Sequence, residues 1–142
     1  MLKNLLWIGI VSTAIVGCTT TTQSVQQQEN LAVLQNKTWV MTHIGATEFA
    51  KKAETPMIQF GSDLRVSGSD GCNRIMGNYA VKNHHLNLGD IASTKMLCPN
   101  NQDIVAKYHT ALKKVMGYQA YDQTLKLLDQ HGNVVLQYHT AP

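Results

Sequence analysis

Long hydrophobic runs, cysteine pairs at metal spacing and basic clusters are all missing from this chain. Its longest apolar stretch, Leu5 to Val16, makes about 18 Å of helix at roughly 1.5 Å per residue. A membrane span needs about 20 such residues, so this stretch falls short. Neither CxxC nor a Cys/His spacing typical of zinc occurs among three cysteines and six histidines, which removes the common zinc and dithiol motifs. A formal charge of +3 without a run of Lys or Arg does not suit nucleic acid.

What is present at the start is an export signal. Met1 to Asn4 carries Lys3 and precedes the short apolar stretch, the arrangement of a secretory signal peptide. Ile15, Val16, Gly17 and Cys18 then resemble a bacterial lipobox. That resemblance implies diacylglyceryl transfer to the Cys18 sulfur, cleavage before Cys18 and acylation of the new amino group. One acyl chain anchors marginally and two or three do so practically for good, at about 0.8 kcal/mol per buried CH₂. Ordinary cleavage to a soluble protein is the competing reading. Thr19, not Asp, stands in second place, which favours the outer membrane, facing the periplasm, in a Gram-negative cell. Thr19 to Gln35 is rich in Thr and Gln and reads as a tether. The expected organisation is a signal over 1–17, a lipidated tether over 18–35 and one domain over 36–142, since about a hundred residues suffice for one compact domain and not two.

With Cys18 committed to lipid, Cys72 and Cys98 remain in a chain exported to an oxidising compartment. A disulfide is the default reading. Its loop of about 27 residues would contribute roughly 3–4 kcal/mol in the chain-entropy model. The rival is a reactive or metal-binding thiol pair.

From Thr38 onward the apolar pattern has period two, broken by Gly, Asn and Asp, as in antiparallel strands joined by tight turns. Trp39 and Met41 share one face of a first strand. PMIQF, LRVSG, the stretch around Tyr79 and Val81, and Leu86 with Leu88 follow, and TLKLLD with NVVLQYH reads as a terminal hairpin. Ile104, Tyr108, Ala111, Leu112 and Val115 instead form a helical stripe. Asn100 or Asn101 is expected to cap that helix and Gly117 to end it. The expected fold is α+β: an antiparallel sheet or partly open barrel of about six to eight short strands with one main helix packed on it.

The most distinctive stretch is VSGSDGCNRIMGNY, residues 66 to 79. Gly68, Gly71 and Gly77 point to positive φ or close backbone approach. A phosphate cradle also uses glycines, but no Lys-Ser/Thr pair and no helix follows here. Together with Trp39, Phe60 and LNLGDIASTKMLC from Leu86 to Cys98, this stretch resembles the META domain family of HslJ-like, heat-shock-inducible bacterial lipoproteins. The resemblance runs from about Leu31 to the end, with Ile75 where an aromatic is usual and Asp103 where Glu is frequent. It implies a compact α+β domain linked with envelope or heat stress and with no established catalytic activity; no cofactor or metal is expected.

The residues point the same way. No histidine among His43, His84, His85, His109, His131 and His139 stands at a spacing that pairs it with Cys72, and a disulfide would abolish the thiolate. Adjacent strand residues such as His84 and His85 face opposite ways and make a poor metal site. The chain is therefore expected not to be an enzyme. It is expected to be a binding or protective module, partnered by the membrane through its lipid and by an envelope protein, and not by nucleic acid. Asn73, Arg74 and Lys95, in loops 67–76 and 93–101, form the candidate contact surface. The alternative is a periplasmic enzyme using a cleft carboxylate or Cys72.

Overall fold

A computed structural model describes residues 30–142. The expected signal peptide, the lipobox-like segment with Cys18 and most of the expected tether lie outside the described residues. The elements are β1 (Thr38–Ile44), β2 (Thr47–Glu48), β3 (Met57–Phe60), β4 (Arg65–Ser69), β5 (Arg74–Lys82), β6 (His85–Leu88), β7 (Ala92–Ser93), α1 (Gln102–Leu112), β8 (Gly117–Tyr121), β9 (Thr124–Leu128) and β10 (Val134–Thr140).

Eight strands form an antiparallel barrel in the order β1, β3, β4, β5, β6, β8, β9, β10, and β10 pairs back onto β1 to close it. The two extra strands lie outside this path, β2 on β1 and β7 on β5. Closure leaves the eight-strand path without a free edge. Period-two alternation decides what fills the interior. Trp39, Met41, Ile58, Phe60, Val66, Ile75, Tyr79, Leu86, Tyr118, Ala120, Leu125, Leu127, Leu136 and Tyr138 all point inward and are buried. An eight-stranded barrel is narrow enough for side chains to fill it.

The helix closes one end of this core. Tyr108, Ala111 and Leu112 are buried along its inner face, and the Tyr108 and Tyr138 hydroxyls meet at 3.0 Å. Complete burial pushes both phenols above their ordinary range, since nothing there solvates a phenolate. The helix ends at Leu112, earlier than the stripe to Val115 suggests, because the chain tightens through Lys114 N–H to Ala111 O and Val115 N–H to Leu112 O before entering β8. Val115 stays buried past the helix end.

The folded residues begin before the expected tether boundary at Gln35. Residues 30–34 are helical, Leu34 is buried, and its carbonyl accepts the Trp39 indole N–H at 2.9 Å. Gln35 bridges to Phe60 and donates to the Tyr79 hydroxyl at 2.7 Å. Leu31 and Leu34, three apart within a Gln-rich stretch, anchor this turn to the core.

Candidate functional site

The distinctive glycine-rich stretch folds as the β4–β5 hairpin. Gly68 lies between Ile58 and Ile75 in the ladder, and a Cβ there would stand 2.1 Å from the Met57 carbonyl oxygen. Gly71 has φ +94° and packs under Glu54 O and the Asn101 amide. The turn itself is Asp70 to Asn73, so the ten-residue loop expected from Ser67 to Met76 is four residues between two strands.

Asp70 holds this turn from inside. It is 0% exposed, and its Oδ1 accepts the backbone N–H groups of Cys72 at 2.9 Å and Asn73 at 2.6 Å. Its Oδ2 accepts His109 Nε2 from the helix at 2.7 Å. Burial pushes the carboxyl up, but the bonds from Asn73, His109 and Cys72 outweigh it and hold Asp70 below the usual carboxylate range.

Asn73 joins the hairpin to the second motif. Its side chain is buried, and its Oδ1 accepts Met96 N–H at 2.6 Å and the Thr94 hydroxyl at 3.3 Å. Arg74 N–H donates to Thr94 Oγ1, and Thr94 N–H returns to Arg74 O. The Cys72–Cys98 disulfide, with Cα atoms 5.9 Å apart, adds a covalent tie at the helix entrance. Asn101 stands at the helix N-cap position without capping it; its amide donates instead to Gly71 O at 2.8 Å and Glu54 O at 3.2 Å.

This geometry sorts the candidate contact residues. Asn73 is placed as an internal strut, buried and with its side-chain bonds directed inward. Arg74 and Lys95 are exposed, and the Arg74–Thr94 bonds bring their backbones to one rim. The chain between Thr94 and Cys98 then forms a knuckle with Met96 61% and Leu97 85% exposed.

The Asp70–His109 pair was not legible from spacing, since the two residues are 39 positions apart. A groove of 590 Å³ opens beside His109, lined by Asn87, Asp90, Leu112, Lys113 and Met116 among others, with no serine, threonine or cysteine in its lining. A larger groove, of 740 Å³, lies at the other end of β4 near Asn36, Asp63 and Arg65, away from the disulfide. Among the described residues no group of three or more His, Cys, Asp or Glu side chains is placed to hold a metal ion. No described helix is long and apolar enough to cross a membrane.

The META domain family model matches residues 32–142. Heat shock protein HslJ of Escherichia coli strain K12 is 32% identical over 69 residues, 49% of this chain and 49% of that protein; the match thus spans about half the length of this curated relative. An NMR structure of a protein from Burkholderia xenovorans superposes with a TM-score of 0.60 at 26% identity, covering 80% of this chain and 87% of that one. The crystal structure of a DUF4847 family protein from Bacteroides vulgatus reaches a TM-score of 0.58 at 15% identity, covering 76% and 94%. This last likeness is one of fold alone.

Proposed function

The chain belongs to the META domain family, and from that premise we propose a non-catalytic, stress-related lipoprotein of the cell envelope whose Lys95–Leu97 knuckle docks another envelope protein. The observation that carries this reading is the knuckle. Met96 and Leu97 stand in water beside basic Arg74 and Lys95, on a loop held by the disulfide and by Asn73. Large apolar side chains grouped at an exposed site are a common mark of contact surfaces. A loop immobilised beforehand loses less entropy when it associates.

Three further features support the non-catalytic, anchored part of the reading. Cys72 is engaged in a disulfide and so lacks the thiolate that nucleophilic chemistry needs. Both Asp70 oxygens are engaged in internal hydrogen bonds. The lipobox-like Ile15 to Cys18 supports a lipid anchor, and Thr19 after it favours the outer membrane, facing the periplasm.

The test is a full-length variant carrying Arg74→Ala, Lys95→Ala and Leu97→Ser, expressed in cells lacking the native chain and challenged with heat. Cells with the variant are expected to match the deletion. Wild-type tolerance with the barrel intact would dismiss the knuckle as the working surface. Intact mass of membrane-extracted protein tests the anchor: acyl chains at Cys18 support it, and an unmodified chain starting elsewhere contradicts it.

A further inference from the structure

The oxidisable side chains of this domain are sorted by position. Methionine is ordinarily among the more buried residue types, yet Met57, Met76, Met96 and Met116 are 36% to 61% exposed, and only Met41 of the described methionines lies in the core, at 1%. Leucine is more often inside: Leu34, Leu86, Leu112, Leu125, Leu127 and Leu136 are buried, with Leu64 and Leu97 the exposed exceptions among the described residues. Among the described residues, the indole and the thiols are withdrawn. Trp39 is fully buried, and Cys72 and Cys98 are already joined.

The exposed thioethers also sit where added polarity costs little. Met57 points outward from β3, opposite Ser69, and Met76 outward from β5, opposite Ser67. Met96 stands on the knuckle, and Met116 lines the groove beside His109. Sulfoxidation disrupts a protein when it converts a packed apolar side chain into a polar one; none of these four is packed inside the barrel.

We propose that these four methionines form an oxidant-consuming surface, with hypohalous acid as the co-reactant class. The thioether lone pair attacks chlorine of hypochlorous acid and hydroxide leaves. Water then adds to the sulfur and chloride departs with its electron pair. The sulfur loses two electrons, chlorine gains two, and the products are methionine sulfoxide, chloride and a proton. This activity is independent of the docking reading, since three of the four methionines lie off the knuckle.

The test treats the purified full chain with hypochlorous acid in increasing equivalents and reads sulfoxide at each methionine by peptide mass spectrometry, with thermal unfolding alongside. Met57, Met76, Met96 and Met116 are expected to react roughly tenfold or more faster than Met41, with the unfolding midpoint moved by less than about 4 °C. A Met57→Leu, Met76→Leu, Met96→Leu, Met116→Leu variant should keep the fold and lose protection of a co-incubated oxidant-sensitive enzyme that the wild type provides. Met41 oxidising as fast as the others, collapse of the barrel on oxidation, or undiminished protection by the quadruple variant would each overturn the proposal.

Discussion

Replacing Asp70 with Ala removes a carboxylate that the hairpin turn and the helix share. Four bonds end on it, those from Cys72 N–H, Asn73 N–H and His109 Nε2 at 2.6–2.9 Å and a longer one from the Asn73 side-chain amide at 3.5 Å. Hydrogen bonds to a charged acceptor contribute about 1.5–3 kcal/mol each, and a buried donor left without a partner costs roughly 1–3 kcal/mol. Bonds that share one carboxylate do not add independently, and the partly exposed His109 can turn to water, so the expected loss is about 3–5 kcal/mol rather than the sum. For a domain of about a hundred residues that lowers the thermal midpoint by roughly 15–25 °C. Asp70→Asn keeps an acceptor for the two backbone donors but loses the charge, and about 2 kcal/mol is expected to go with it. Melts followed by far-ultraviolet circular dichroism separate the three proteins. Acid titration supplies a second reading. The folded carboxyl lies below its ordinary value, so the unfolded chain takes up the proton first as pH falls. The stability Asp70 contributes is therefore complete above about pH 4–5 and is lost as pH drops through the folded value. Both variants should flatten that acid limb. An Asp70→Ala protein within about 1 kcal/mol of wild type, or one with the acid limb unchanged, refutes the reasoning.

Reducing the disulfide, or introducing Cys72→Ser with Cys98→Ser, releases a loop spanning 26 positions and is expected to cost about 3.5 kcal/mol in urea unfolding. Tyr108→Phe should cost about 1–2 kcal/mol by leaving the Tyr138 hydroxyl alone in the core, whereas the double Phe variant should cost less than the two singles combined. Gly68→Ala drives a Cβ against Met57 O and is expected to lose about 3 kcal/mol or more. Gly45→Ala, at φ +57° with open space around it, should lose only about 1 kcal/mol; similar losses at the two positions would refute the close-approach account of Gly68.

Much of the barrel was legible because its strands alternate cleanly. Trp39 with Met41, Ile58 with Phe60, and the terminal hairpin all reveal their buried face by period two. β8 escaped notice because GYQAY opens with glycine and its inward residues are Tyr118 and Ala120, a weak apolar signal. β2 and β7 are two residues each, too short for any periodicity to register. Barrel closure depends on the β1–β10 pairing between chain ends, which no local pattern encodes. The site divides in the same way. The disulfide followed from counting cysteines in a chain whose first residues read as an export signal. The inward role of Asn73, the noncapping Asn101 and the Asp70–His109 bond did not, because each joins positions 20 or more residues apart. A polar side chain bonded at that range looks in sequence like any surface residue.

The two motifs around Cys72 and Cys98 build a rigid mount for an exposed knuckle, and amide hydrogen exchange reads that rigidity residue by residue. The N–H groups of Cys72, Asn73 and Met96 lie outside the barrel strands yet donate to the carboxylate of Asp70 or the side-chain oxygen of Asn73. They are predicted to exchange as slowly as the amides of β4 and β5. Exchange as fast as that of the exposed Lys51 amide would show that the mount is not rigid.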